Sequence, residues 1–499
     1  MLANESSQVK AVLTVPEQVS KWDICELVLM GALVHGNPFT DVELSAEFTC
    51  GSRTVRTSGF YDGDGVYRIR LMPGVEGEWA FRVSSTDAAL DGFEGSFVCT
   101  GAKAGNHGPV RVHNTFHFAY EDGTPYRPVG TTCYAWVHQG EEMERQTLES
   151  LKSAPFNKLR MCVFPKSYLY NTNEPEFYPF EGSLETGWDY SRFNPTFFRH
   201  LEERIADLAE LGIEADLILF HPYDRWGFAA MTEEQDDRYL RYVAARLSAY
   251  RHLWWSLANE YDFMGTKTLA DWERYAQIVT ANDPYHHLIS NHNGSVFYDF
   301  NKPWVTHCSI QRVDVYKTAE NTDEWRKQWN KPVVIDECAY EGDAEYGWGN
   351  ITGEEMVRRF WEGAVRGGYV GHGETYMHPE DKIWWAKGGS LYGTSPERIA
   401  FLRKVIEEGP ADGLNLNPPR TEWDLPCAGI EDEYYLYYFG FNRPKFREFR
   451  MTPGVAYKVE LLDTWNMNIE ELPGRYEGNF RIDLPTRMYM AIRMTRITE

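Results

Sequence analysis

The chain carries no CxxC pair, no GxGxxG turn, no Walker loop and no apolar run long enough to span a bilayer. The missing glycine-rich turns make a doubly wound nucleotide-binding sheet a poor competitor. The eight cysteines, at 25, 50, 99, 133, 162, 308, 338 and 427, lack metal-ligand spacing and mostly sit inside apolar runs. They read as reduced core residues of a cytoplasmic protein. The amino terminus, MLANESSQVKAVLTV, has no basic region followed by an apolar core, so no secretory signal is expected there. Basic residues are also in short supply. Fifty Lys and Arg face 74 Asp and Glu, a formal charge of −24, which disfavours nucleic acid and anionic membrane surfaces through long-range repulsion.

Aromatic residues, by contrast, are plentiful. They make up 15% of the 499 residues, with 17 Trp and 30 Tyr, and hydrophobic residues reach 43%, which rules against disorder and against a coiled coil. Such an excess suits either stacking on sugar rings or large β-rich cores.

Three patterns follow one another along the chain. Residues 8 to 100 alternate in short runs separated by Gly, Pro, Asn and Asp turns, the pattern of an all-β sandwich, and a polar Gly-rich linker closes it at 101–108. From 109 to 405, eight apolar strand-like runs alternate with amphipathic helical stretches, which spells a (β/α)8 barrel. The expected strands are 126–130, 158–164, 215–220, 253–257, 288–291, 305–310, 333–335 and 368–371; the expected helices are 195–211, 233–249, 268–282, 323–330 and 352–366. Alternation returns from 415 to the end as a second small β-sandwich. The expected architecture is therefore a TIM barrel, an α/β fold, over 105–412, flanked by β-sandwiches over 1–104 and 413–499.

Barrels of this kind present their chemistry at the carboxyl ends of the strands. The segment His252 to Phe263, HLWWSLANEYDF, is an apolar run that stops at Asn259-Glu260, and Lys331-Pro-Val-Val-Ile-Asp-Glu337 again ends a β-branched run in acid. Two carboxylates on separate strand ends are the minimum equipment for cutting a glycosidic bond. Around them the strand ends offer Tyr134 and Trp136, Arg160, His221 and Asp224, Asn291 with His292 and Asn293, His307 and Gln311, and His372 with Glu374. No serine elbow or cysteine–histidine pair is among them. Amides, carboxylates and aromatics suit a substrate rich in hydroxyls.

Asn259-Glu260 after the fourth strand and Glu337 after the seventh resemble the clan A glycoside hydrolase pattern. Pro125 to Trp136 (PYRPVGTTCYAW), Phe156 to Arg160 (FNKLR) and Trp384 to Gly393 (WWAKGGSLYG) further resemble the bacterial apiosidase-like barrels, over nearly the whole chain. The resemblance implies a retaining glycosidase without cofactor or metal, with Glu260 as acid/base and Glu337 as nucleophile. It implies Asn259 at the sugar 2-hydroxyl and Arg160 beside Glu337, with Glu260 raised in pKa and Glu337 ionised. Substrate contacts are expected from His221, His307, Tyr134, Trp136, Asn291, Glu374, Trp384 and Trp385. The partner is an oligosaccharide or glycoside, and homo-oligomerisation stays open. One departure is the eighth strand, where Gly371-His-Gly-Glu-Thr-Tyr376 stands in place of the usual Trp. Glu374 is thus a hydroxyl clamp or a rival carboxylate, and Asp336 and Glu341 compete with Glu337. The loops 164–188 and 221–232, long and aromatic, are expected to wall the cleft and favour exo-action on short substrates. Two other readings compete: a metal-dependent sugar hydrolase or isomerase using His221, Asp224, His307, Glu337 and Glu374, and a non-catalytic carbohydrate-binding protein.

Overall fold

A computed structural model describes residues 10–31, 36–380 and 382–498. The leader-free reading of the amino terminus rests largely on residues 1–9, which lie outside the described residues. No helix among the described residues is long and apolar enough to cross a membrane.

The central unit is a nearly closed barrel of eight parallel strands: β1 (Gly130–Thr132), β2 (Lys158–Cys162), β3 (Glu214–Phe220), β4 (Leu253–Ala258), β5 (Leu288–Ser290), β6 (Cys308–Gln311), β7 (Val333–Glu337) and β8 (Tyr369–His372). Sequential strands pair from β1 to β5 and from β6 to β8, and β8 returns to β1. The one seam without a regular ladder, between β5 and β6, is stitched at its edge. Thr306 donates its N–H to the Ile289 carbonyl at 2.9 Å, and the Ser290 hydroxyl donates to the His307 carbonyl at 2.6 Å. Every residue of β2, β3, β4 and β7 is buried, as expected of strands covered by helices on one side and packed inside the barrel on the other.

The helices of eight residues or more are α1 (Glu141–Ser153), α2 (Pro195–Glu210), α3 (Glu233–Leu247), α4 (Leu269–Asn282), α5 (Thr322–Trp329), α6 (Gly353–Val365) and α7 (Ser395–Glu407). Their starts follow capping chemistry. Thr232 with Gln235 and Thr268 with Asp271 form reciprocal capping boxes, and Asn194 caps α2 ahead of Pro195.

Two helices, α1 and α7, were not expected from the sequence. In α1 the inward face is Glu144, Thr147 and Leu151, a pattern that no apolar periodicity marks, because Glu144 is buried against His200 and Arg204 of α2. The first expected strand also moves. Tyr126 pairs with Phe118 in a three-stranded antiparallel sheet (Val110–His113, His117–Tyr120, Pro125–Tyr126), and the barrel strand begins only at Gly130. This small sheet plugs the amino-terminal end of the barrel, where Phe118 packs on Trp254 and Tyr369.

Before the barrel lies an eight-stranded β-unit, ordered Val12–Thr14, Cys25–Met30, Val66–Leu71, Arg53–Tyr61, Leu44–Cys50, Gly77–Ser85, Glu94–Thr100 and Gln18–Ser20. Its alternation buries Leu27, Leu29, Phe48, Ile69, Trp79 and Val83 in a core of its own. After the barrel a six-stranded sheet and a separate two-stranded ribbon surround Tyr435, Tyr437, Tyr457, Val459 and Ile492.

The amino-terminal unit is locked to the barrel by charge. Arg70 and Arg246 both bind the buried Glu202 carboxylate at 2.7 Å, Arg246 also reaches Asp62 at 2.8 Å, and Arg70 donates to the Arg246 carbonyl. Burial of two guanidiniums is tolerable only while both carboxylates are present. Glu202→Gln should therefore lower stability by about 3–5 kcal/mol, read as a fall in the thermal or denaturant midpoint. A loss within experimental error would show that the junction does not depend on this pair.

Candidate active site

β4 is buried throughout and ends at Ala258; Asn259 still bonds back to the Phe220 carbonyl, and the next residue breaks the extended path. Glu260 adopts φ of +55°, a left-handed conformation that costs a non-glycine residue roughly 1 kcal/mol or more. The turn brings its side chain back over the barrel mouth. Glu337, by contrast, is the last residue of β7. Both carboxylates are 6% exposed and line one cavity of about 100 Å³. Larger grooves, of about 720 and 420 Å³, run between the amino-terminal β-unit and helices α3 and α4, away from these carboxylates.

The surroundings of the two acids differ. Glu260 Oε1 accepts from Gln311 Nε2 at 3.0 Å, and Oε2 accepts from Asn259 Nδ2 at 3.1 Å and from the Tyr223 hydroxyl. Burial pushes its carboxyl up to about 7, and the nearby charge of Glu337 adds to this. Lys166 and the hydrogen bonds from Tyr223 and Gln311 oppose the rise.

Glu337 stands over the cationic end of a buried ionic lattice. Arg160 Nη1 lies 3.6 Å from its Oε1, and the Tyr134 hydroxyl sits between that oxygen and Asn259 Oδ1, the latter at 3.0 Å. A single hydroxyl proton serves one acceptor at a time, and the charged carboxylate is the stronger. Burial and then Glu337 hold the Tyr134 hydroxyl well above its ordinary range, so it remains a donor. Beneath, Lys158 bridges Asp216 at 2.5 Å and Asp336 at 2.8 Å. Asp336 is thus committed below the site.

Aromatic rings form the walls. Trp385 packs against Trp348 with centroids 5.0 Å apart and against Tyr134, Tyr168 and Tyr340. Lys166, 3% exposed, holds its ammonium 3.5 Å from the centroid of Tyr134, 4.4 Å from Tyr223 and 4.9 Å from Trp385. Burial lowers its pKa, while the carboxylates of Glu260 and Glu337 oppose the fall.

Of the residues expected at the site, Tyr134, Asn259, Glu260, Glu337 and Trp385 line the cavity, and Arg160 lies directly under it. The others lie elsewhere. Trp136 donates to the Glu144 carbonyl within the core, and Trp384 donates to Thr131. His221 bonds the Phe164 carbonyl, Asn291 is fully buried, and His307 precedes β6, with its ring 5.1 Å from Trp254 near the plugged end. Glu374 pairs in register with Glu341 outside the cavity, and Glu341 is capped by Thr394, Ser395 and Tyr376, so neither competes with Glu337 for this cavity. The ligand set of the metal-dependent reading does not converge, since Asp224 caps the turn at 226–229 and His307 lies near the plugged end.

The site also contains Gln311, one of the strand-end residues named above, and Lys166, Tyr168, Tyr223, Tyr340 and Trp348, which the sequence does not single out. Gln311 ends the sixth strand and Lys166 follows the second by four residues, so both carried a strand-end signal; the others arrive on loops. Of the loops 164–188 and 221–232, only Lys166, Tyr168 and Tyr223 reach the cavity. Their remaining aromatics, such as Phe180, Trp188 and Phe228, pack on one another.

The family described as apiosidase-like, catalytic domain, matches residues 112–392, and two domains of unknown function, DUF5060 and DUF5605, match residues 18–86 and 423–495. A crystal structure of a presumed glycoside hydrolase from Bacteroides vulgatus is 40% identical, covering 97% of this chain and 100% of its own, with a TM-score of 0.92. A glycoside hydrolase family 5 structure, also from Bacteroides vulgatus, is 14% identical over 78% of this chain and 94% of its own, with a TM-score of 0.62. A third structure, a glycoside hydrolase, is 15% identical over 78% and 97%, with a TM-score of 0.58. The last two share the fold. No curated protein matches the chain.

The raised Glu260 carboxyl links the site to stability. The folded chain holds this proton more tightly than the unfolded chain does, so stability falls as pH rises from the free value of 4.5 to about 7. Glu260→Gln removes that slope. The variant should match wild type near pH 4 and exceed it by about 2–3 kcal/mol at pH 8, in parallel denaturation curves. A wild-type advantage at pH 8 would contradict the assigned direction.

Proposed function

The chain belongs to the apiosidase-like catalytic-domain family, and from that premise we propose that it is a retaining glycoside hydrolase in which Glu337 is the nucleophile and Glu260 the acid/base. The observation that carries the reading is the pair of carboxylates in one small cavity with opposite surroundings. Glu260 is desolvated and pushed up to about 7, whereas Glu337 faces Arg160 and the Tyr134 hydroxyl. A proton donor and an anionic nucleophile are the two roles that a double displacement requires.

In the first step a Glu337 oxygen attacks the anomeric carbon as the glycosidic C–O bond breaks, and the Glu260 proton passes to the leaving oxygen. Glu260, now ionised, then takes a proton from water. The water oxygen attacks the anomeric carbon, the bond to Glu337 breaks, and both carboxyls return to their starting states. This chemistry calls for carboxyls roughly 5–5.5 Å apart. Asn259, which bonds Tyr134 and Glu260, would meet the 2-hydroxyl, where its bond strengthens as charge develops on the ring.

A cavity of about 100 Å³ closed by Trp348, Trp385 and Tyr168 supports exo-action on short oligosaccharides or glycosides rather than cutting within polymers. We read residues 1–104, 105–412 and 413–499 as three domains, the outer two β-sandwiches. The eight cysteines, all free and seven of them buried, favour a reducing, cytoplasmic setting.

Glu337→Ala should abolish turnover of aryl glycosides. Glu260→Ala should lose activity selectively on substrates with poor leaving groups and recover through azide, giving a glycosyl azide with retained configuration. Wild-type kcat/KM should fall as pH rises through about 7, because the first step needs Glu260 protonated. Full turnover by Glu337→Ala would overturn the nucleophile assignment, and an inverted product would overturn the retaining mechanism.

A further inference from the structure

Outside the catalytic cavity, the extension of β8 brings three ligand-type side chains together. Glu374–Thr375 runs parallel to Glu341–Gly342 with Glu341 opposite Glu374, and His372, two residues before Glu374, shares its face. One nitrogen or oxygen from each of Glu341, His372 and Glu374 lies within 4.8 Å of the others, and the residues are 0%, 0% and 1% exposed. Like charges directly opposite one another repel, and burial magnifies the cost. The ring nitrogen within reach of this pair is His372 Nε2, 3.5 Å from Glu374 Oε1.

The His372 ring is held from behind. Its Nδ1 lies 3.0 Å from the Thr131 hydroxyl oxygen, and Phe156 stacks on it with centroids 4.6 Å apart. Trp384 Nε1 donates to the same oxygen, and in the tautomer whose Nδ1–H also donates to it the lone pair resides on Nε2. Nε2 faces the cluster and makes no hydrogen bond, and neither does Glu374 Oε1, 3.5 Å away. The Glu341 carboxylate accepts from the Thr394 and Ser395 amides and the Tyr376 hydroxyl, and Glu374 Oε2 from the Tyr392 amide, which fixes both groups.

The loop over the cluster has a glycine at its closest approach. A Cβ on Gly393 would lie 2.4 Å from Glu374 Oε1 and 2.5 Å from Glu341 Oε2, so the backbone passes too close to the two carboxylates for any side chain.

We infer that Glu341, His372 and Glu374 form a structural binding site for one divalent cation of the zinc class, separate from the catalytic cavity. The observations that carry it are the orphaned, inward-facing Nε2 and Oε1 and the convergence of all three side chains within 4.8 Å. A mixed imidazole–carboxylate set suits Zn²⁺. The 3.5 Å between Nε2 and Oε1 matches the ligand–ligand edge of about 3.4 Å in a tetrahedron with bonds of about 2.1 Å. Such an ion would cancel the buried charge and tie the β8 extension to the loop 391–395, behind the wall that carries Tyr340 and Trp385.

Native mass spectrometry and elemental analysis of the full chain, purified without a metal-affinity tag, should find one zinc per chain. Chelation should lower the melting temperature and added Zn²⁺ restore it, and Co²⁺ in its place should give the visible bands of a tetrahedral site. Glu374→Gln and His372→Gln should each lose the metal and the Zn²⁺-dependent rise in melting temperature. Should both variants fail to fold, the wild-type stoichiometry and the Co²⁺ spectrum decide. No bound zinc in the chain as purified, together with no melting shift when chelated protein is titrated with Zn²⁺, overturns the proposal and leaves a proton-sharing His–Glu cluster. Zinc retained in full by both variants overturns it as well.

Discussion

The barrel interior depends on a set of buried charges that would each be intolerable alone. Lys158 and Arg160, on the same face of β2, stand among Asp216 of β3, Asp336 and Glu337 of β7, with separations from 2.5 to 4.0 Å and side chains no more than 8% exposed. Removing one member would leave its partners charged in a medium that cannot solvate them. The lattice therefore constrains β2, β3 and β7 to a register in which these residues meet. It ends upward at Glu337 and Asn259, which face Arg160 Nη1 and Nη2, so the packing of the interior and the electrostatics of the site are one feature.

Above the lattice the site balances the same quantities with the opposite sign. Glu260 is as buried as Glu337 but has amide and hydroxyl donors around it rather than a guanidinium, and its carboxyl rises accordingly. Lys166 limits the rise while itself surrounded by aromatic faces, which compensate a desolvated ammonium better than apolar carbon does. The left-handed backbone at Glu260 is the local cost of aiming this carboxyl across the barrel mouth, and the fully buried strand behind it keeps the turn in place.

Much of the fold was legible because its signals are local. The long β3 and β4 runs, the starts of α3 and α4 and the two acid-terminated strands needed only period and punctuation. Illegible parts had tertiary causes. Helix α1 shows no apolar stripe because its buried face is a glutamate neutralised by α2, and Tyr126 was assigned to the barrel because strand propensity cannot say which sheet a strand will join. Similarly, His307 and Trp136 have the residue type of a sugar site and the location of a core, a distinction that depends on which end of a strand faces the mouth.

By itself the sequence determined the barrel, the β-rich flanks and the two acid-terminated strands, because strand ends and residue types are properties of short segments. Tertiary structure alone decided which groups surround each carboxylate. Lys166, Tyr223, Trp348 and Trp385 come from four different stretches of chain, and Glu374 turns away to face Glu341 and His372. Electrostatic environment is a sum over neighbours in space, and closure of the barrel is what makes residues distant in sequence into neighbours.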